Sequence, residues 1–221
     1  MGVRENLQLV REKVRSAAVR SGRDLEKIKI IAVTKKVEIA RMQEVIRQGI
    51  VDLGENRVQE LTEKRPALPT GLHWHMIGHL QTNKVKYVVG LVDLIHSLDS
   101  WGLAEEIHRQ AVKLDLVAKV LVQVNISGEK TKYGLAQSDL ADFLIALRDL
   151  PHISVQGLMT VAPYVENPEE VRPYFRELRL LAARHNLEHL SMGMTNDFEV
   201  AVEEGADLLR LGTAIFGPRE N

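Results

Sequence analysis

The chain has 221 residues, 45% hydrophobic and 27% charged, with a formal net charge of -1. That balance supports a sizeable core and gives no electrostatic case for nucleic acid or an anionic membrane as partner. Cysteine is absent, which excludes disulfides, thiolate metal sites and a cysteine nucleophile together.

Residues 1–20 are charged throughout and lack the apolar core of a signal peptide, and no run approaches about 18 apolar residues, so a cytoplasmic protein is expected. Leu7, Val10, Val14 and Ala18 fall at spacings of three and four, an apolar stripe on a helix over 4–21 that Gly22 stops. The branched run at 28–33, ending in Thr34-Lys35-Lys36, reads as a strand buried on both faces. A helix over 37–48 follows, closed by Gly49. A short strand at 50–53 opens through Gly54-Glu55-Asn56 into a helix reaching Lys64, and Pro66, Pro69 and Gly71 break the chain.

Strand 72–77 precedes a helix at 81–89, and strand 94–98 precedes a helix capped by Asp99 or Ser100 and running to Lys113. Strand 117–124 leads to a helix from Ser138 to Leu150, and strand 155–161 to a long helix over 168–186. Strand 190–192 is followed by a helix at 197–204 with a Gly205 stop. A last strand is expected over 208–216, without a helix of its own. Eight strand-plus-connection units in a chain of this length predict one (β/α)8 TIM barrel of class α/β with an extra N-terminal helix. No Gly-x-Gly-x-x-Gly turn follows any strand, which disfavours an open dinucleotide-binding sheet. No linker or composition shift divides the chain, so a single domain is expected.

In a barrel, ligands sit just past the carboxyl ends of the strands. Here those positions hold Lys35 and Lys36, Asn56, Gly78 and His79, Asp99, Asn125, Thr160, Gly193-Met194-Thr195-Asn196, and Gly212-Thr213. The loops after strands seven and eight, where barrels most often hold phosphate, pair glycine with hydroxyls: Ser191 with Gly193, and Gly212 with Thr213. Arg210 interrupts the apolar strand Leu208-Leu209-Arg210-Leu211, and an unpaired buried charge costs several kcal/mol, so a polar cavity or a partner must meet it. An amine opposite an anion cradle, with a polar group for a ring nitrogen, is what a pyridoxal phosphate Schiff base requires. The amine must be neutral to condense, so its pKa has to fall from about 10.4. Burial and a cationic neighbour both lower it. Alternation along the strand does not choose between Lys35 and Lys36.

Several motifs then recur in order: Ala32-Val33-Thr34-Lys35, Gly54-Glu55-Asn56, the run from Trp74 to Lys84, Gly157-Leu158-Met159, Ser191-Met192-Gly193-Met194 and the run from Arg210 to Gly217. Together they resemble the pyridoxal phosphate homeostasis protein family, also called the proline-synthase co-transcribed homologue family. The resemblance implies a barrel similar to the N-terminal domain of alanine racemase (fold type III among pyridoxal phosphate proteins), with the cofactor on Lys35. It implies that Ser191, Gly212 and Thr213 hold the phosphate, with Met194 in the same loop, that Arg210 faces the pyridine nitrogen, and that Asn56 and His75 lie near the ring or aldehyde. Two departures stand out: Lys36-Val37-Glu38 where a further lysine and proline are usual, and Thr195 where serine is usual.

Arginine at the pyridine nitrogen makes the ring a poor electron sink, which disfavours most carbanion chemistry. Racemases of the related fold take a second base from a separate β domain, and here the chain stops just past the last expected strand. The expectation is therefore a carrier that buffers pyridoxal phosphate and delivers it to dependent apo-enzymes, without dedicated catalysis, and a monomer. A weak amino-acid racemase is one alternative. A metal-dependent barrel hydrolase using His73, His75, His79 and Asp99 is the other. Two further features are read as solvent-exposed: the polar loop from Ser127 to Gly134, and an arginine face of 172, 176, 179 and 184 partnered by Glu169 and Glu177.

Overall fold

The branched residues of the first strand run cannot all turn to one side, and a sheet covered on both faces accommodates them. In the computed structural model, which describes residues 2–129 and 131–218, eight parallel strands close into a barrel in chain order. They are β1 (Lys29–Val33), β2 (Asp52–Glu55), β3 (His73–Met76), β4 (Leu94–Leu98), β5 (Ala118–Gln123), β6 (Ile153–Met159), β7 (His189–Ser191) and β8 (Leu208–Leu211). The described α-helices are α1 (Val3–Ser21), α2 (Ile39–Arg47), α3 (Val58–Lys64), α4 (Trp101–Lys113), α5 (Leu140–Ala146), α6 (Arg172–Arg184), α7 (Phe198–Glu203) and α8 (Thr213–Phe216). The barrel closes where Ile31 and Ala32 of β1 lie level with Arg210 and Leu211 of β8.

Side chains alternate between two environments. Ile31, Leu94, Leu121, Met159 and Leu208 form an apolar cluster inside the barrel, while Ala32, Leu53, Trp74, Val120 and Leu209 belong to the larger core between strands and helices. The apolar stripe of α1 (Leu7, Val10, Val14, Ala18) is buried, and α1 packs against α7, α8 and α2. It therefore stands in the ring of helices where an eighth full-length helix would otherwise stand. Asn6 fastens it there, its Nδ2 donating to the carbonyl of Ile215 at 3.0 Å.

Three expectations change. The last strand ends at Leu211, and residues 213–216 form the short helix α8, with the N–H groups of Ile215 and Phe216 both donating to Gly212 O at 2.9 Å. A brief apolar run does not distinguish strand from buried helix by its periodicity. The helix expected over 81–89 is a 3-10 stretch, Thr82–Tyr87. Its buried anchors Val85 and Val88 are three residues apart, the spacing that eclipses in a 3-10 turn. The arginine face of α6 is not merely solvated: Arg172, Arg176 and Arg179 all reach Glu204, at 3.2, 3.0 and 3.3 Å.

That glutamate is buried, and Arg172 also pairs with Glu203, which Arg20 of α1 meets from the other side at 2.7 Å. The ion cluster thus ties α6, α7 and α1 together. Burial would raise the Glu204 carboxyl, but hydrogen bonds from Arg176 and Arg172 outweigh it and hold the pKa below the usual range. A depressed folded-state pKa stabilises above the unfolded value, about 4.3, and the contribution is lost as pH falls through the folded value. Glu204→Ala should therefore cost about 2 kcal/mol at neutral pH, at the low end for a buried pair because the arginines reach solvent. Urea denaturation of both proteins at pH 7 and below pH 4 checks this, since the gap should narrow in acid. An equal gap at both pH values would mean that packing, not charge, fixes the cluster.

Candidate functional site

The site is built at the carboxyl mouth of the barrel. Because Ile31 faces the lumen, strand alternation puts Val33 on the same side, and Lys35 follows in the turn just past the strand. Lys35 is half-buried. Lys36 is exposed in a left-handed conformation (φ 56°), and its N–H donates to Glu60 Oε2 at 2.6 Å. The turn thus separates the two lysines, Lys35 half-buried and Lys36 exposed.

The other face of this turn is held rigidly. Thr34 donates its hydroxyl to Glu55 Oε1 at 2.6 Å, and Lys64 Nζ reaches Thr34 O, Glu55 Oε1 and Glu60 Oε2 at 2.7, 2.9 and 2.6 Å. Burial raises the Glu55 carboxyl, against the hydrogen bonds from Thr34 and Lys64. The end of β1 is therefore anchored to β2 and α3 from outside the barrel, which leaves the inner side for a ligand.

Val33 pairs with Gly54, so Asn56, two residues on, comes level with Lys35 at the mouth. Its Oδ1 is buried and without a hydrogen-bond partner among the described residues. A buried amide oxygen left in that state is costly unless a ligand meets the amide. Gly78 backs this residue closely: a Cβ there would lie 2.4 Å from Asn56 O and 2.7 Å from its Cα.

Arg210 enters the lumen from β8, with 5% of its surface exposed. Nη1 donates to Ser191 Oγ at 2.6 Å and Nη2 to Thr160 O at 2.8 Å. Burial pulls its pKa down to about 10, against the nearby Asp197 carboxylate, so it stays cationic at neutral pH. Ser191 also meets His96 Nδ1 at 2.9 Å, His96 Nε2 meets His75 Nδ1 at 3.0 Å, and His75 Nε2 meets Asp52 Oδ1 at 3.1 Å. Burial, and then the nearby Arg210 cation, hold His96 well below the ordinary imidazole range, so it is neutral.

The loops after β7 and β8, where an anion cradle is expected, lie side by side. The Thr195 hydroxyl accepts the N–H of Ala214 at 3.1 Å, placing it beside Gly212 and the exposed Thr213. Asp197 folds the β7 loop by accepting the N–H of Met194 at 2.6 Å, and Met194 stands partly exposed at the mouth. A cavity of about 470 Å³, lined by Val33, Lys36, Arg41, Gly212 and Thr213 among others, opens between the starts of α2 and α8, beside the turn that carries Lys35 but without Lys35, Asn56 or Arg210 in its lining.

Lys35, Asn56, Met194, Gly212 and Thr213 therefore gather at one mouth, with Arg210 below them. Two expected residues are placed differently. Ser191 is fully buried with its hydroxyl engaged by Arg210 and His96, so Thr195 is the β7-loop hydroxyl that faces the cradle. His75 has both ring nitrogens committed to Asp52 and His96, inside the lumen. Asp52 and His96 were not singled out from sequence. The signal for His96 was a polar residue inside the buried run Leu94-Ile95-His96-Ser97-Leu98, of the same kind that marked Arg210. The residues of the metal reading are drawn apart. His73 and His75 both face Asp52, at 3.4 and 3.1 Å, while His79 pairs with Asp99 at 3.7 Å and stacks on Tyr133. Among the described residues no group of three or more His, Asp or Glu side chains is placed to hold a metal ion.

A family profile described as "Alanine racemase, N-terminal domain" matches residues 3–220. The chain is 47% identical to the "Pyridoxal phosphate homeostasis protein" of Aquifex aeolicus (strain VF5), covering all of both chains. The PipY structure of Synechococcus elongatus PCC7942, with PLP (pyridoxal phosphate) bound, superposes with a TM-score of 0.82 at 36% identity, over 94% of this chain and 100% of that one. An alanine racemase of Clostridium difficile 630 shares the fold, with a TM-score of 0.74 at 17% identity, and this chain covers 57% of it.

The close approach at residue 78 carries a direct consequence. Gly78→Ala should push Asn56 from its place at a cost of about 2 kcal/mol, as over-packing does. Urea denaturation together with the side-chain amide NMR signal of Asn56 checks this, and an unmoved signal with unchanged stability would mean that the contact is relieved elsewhere.

Proposed function

The chain belongs to the pyridoxal phosphate homeostasis protein family, and from that premise we propose that it holds pyridoxal phosphate at this mouth, with Lys35 as the covalent attachment point. The observation that carries the proposal is the joint placement of a half-buried lysine, a hydroxyl-lined cradle and a buried arginine around one opening. When bound, the cofactor supplies an aldehyde that condenses with an amine and a pyridine ring that draws electrons.

The side chains divide the work. Lys35 supplies the amine. Gly212, Thr213 and the Thr195 hydroxyl hold the phosphate, with Lys36 and Arg41 adding positive charge along the cavity. Asn56 supplies an amide whose oxygen is otherwise without a partner. Arg210 spends one N–H from each Nη on Ser191 and Thr160, and its remaining N–H groups are left for the ring nitrogen. Ile31 is level with Arg210, and Lys35 follows in the turn two residues past the end of β1.

Arg210, charged at neutral pH, would donate to a ring nitrogen without protonating it, which would suit storage and transfer of the cofactor better than carbanion chemistry. We read the protein as a cytoplasmic, monomeric holder that supplies the cofactor to dependent apo-enzymes. The family assignment supports the homeostatic role. Among the described residues no helix is long and apolar enough to cross a membrane.

The purified, loaded protein should be yellow, and borohydride should fix a pyridoxyl group on the peptide containing Lys35. Lys35→Ala should abolish both the colour and the adduct. An adduct on Lys36, or racemisation of alanine at an ordinary enzyme rate of about 1–10³ s⁻¹, would overturn the assignment or the non-catalytic reading respectively.

A further inference from the structure

The lumen contains an unbroken line of polar side chains from the amino mouth of the barrel toward the carboxyl mouth. It begins at Asp52, the first residue of β2, with the half-exposed His73 beside it. It passes through His75 of β3, His96 of β4 and Ser191 of β7, and ends on Arg210 of β8. Asp52, His75, His96, Ser191 and Arg210 are all buried, and they share the lumen with the apolar cluster of Ile31, Leu94, Leu121, Met159 and Leu208.

Donor and acceptor counting gives this line a direction. Arginine only donates, so Arg210 Nη1 gives its proton to Ser191 Oγ. The serine proton then goes to its other partner, His96 Nδ1, which must be bare. A neutral His96 therefore carries its proton on Nε2 and donates to His75 Nδ1, and His75 in turn donates from Nε2 to Asp52. The reverse direction would leave the serine proton without an acceptor and set a bare His75 nitrogen against a carboxylate. Burial alone would raise the Asp52 carboxyl, but the hydrogen bond from His75 and the nearness of His75, Lys29 and His73 hold it below its ordinary value, so it is an anion. Every bond then points the same way, from cation to anion through two neutral rings, and each polarises the next.

We infer that Asp52, His75, His96 and Ser191 are positioning residues that fix Arg210 in place and set its polarity toward the ring nitrogen from across the barrel. The inference rests on the cofactor reading above, but the direction of the chain is a property of the protein without ligand. None of the three residues from Asp52 to His96 contacts Arg210 itself. Their effect on the cofactor is transmitted through Ser191.

The direction is tested on the cofactor-free protein by ¹⁵N NMR of its histidines. His75 and His96 should both be neutral with Nε2 protonated, and either ring protonated on Nδ1 or cationic would overturn the inference whatever the protein binds. The effect on the site is tested on loaded protein with His96→Phe, His96→Gln and Ser191→Ala. Losing the link should speed release of pyridoxal phosphate by about tenfold, the worth of one hydrogen bond, and should shift the visible absorption band in His96→Phe and Ser191→Ala. His96→Gln, which keeps one acceptor and one donor, should restore most of both. If His96→Phe does not fold, Ser191→Ala carries the test, since it removes a single oxygen. Variants that fold and release the cofactor at the parent rate with an unshifted band would reduce the chain to a core strut and leave the cofactor reading standing. Failure of the parent protein to bind pyridoxal phosphate would overturn that reading instead.

Discussion

A buried guanidinium is the constraint on which the inside of this barrel depends. Stripping Arg210 of water is expensive, and breaking its pairing by removing a partner would cost about 3–5 kcal/mol. Ser191 and Thr160 meet it directly, Asp197 stands near, and the line through His96 and His75 ends on a second carboxylate at Asp52. Asp52, His75, His96 and Ser191 occupy lumen positions on β2, β3, β4 and β7 that an ordinary barrel fills with branched apolar residues. A cation maintained at that expense, beneath a mouth that carries a lysine and two threonine hydroxyls, is the mark of a ligand site rather than of a stabilising core.

The scaffold separates these demands in space. Inside, the apolar cluster of Ile31, Leu94, Leu121, Met159 and Leu208 shares the lumen with the polar line. Outside, Thr34, Glu55, Lys64 and Glu60 lock the turn that carries Lys35. Farther out, α1 takes the place of a full eighth helix and is tied by Arg20 to Glu203, the α7 acid that Arg172 of α6 also engages. The outer shell thus holds the β1 turn in place from outside the barrel.

Much of this was legible in the order of residues, and the reasons for the exceptions are physical. Branched runs such as Ile28–Val33 and Val117–Val124 announce strands because a two-faced environment demands them. Ala214-Ile215-Phe216 did not announce its helix, since a run that short satisfies either period and only the turn at Gly212 decides. Arg210 was visible as a charge inside an apolar strand. His96 was equally visible in kind, but a lone histidine in a strand has many explanations, and its importance comes from Ser191, 95 residues later. For the same reason Ser191 was read as a phosphate ligand. Which hydroxyl of the β7 loop faces out and which faces in follows from the register of a three-residue strand, which composition does not reveal.

With the cofactor bound as proposed, its ring nitrogen and this guanidinium would meet inside the mouth formed by β1 and β8. A crystal structure of the protein grown with pyridoxal phosphate would show whether they do. The pyridine nitrogen should lie within hydrogen-bond distance of Arg210, the phosphate against Thr195 and Thr213, with continuous density to Lys35. A ring seated with its nitrogen away from Arg210, or a guanidinium withdrawn from the lumen, would contradict this placement.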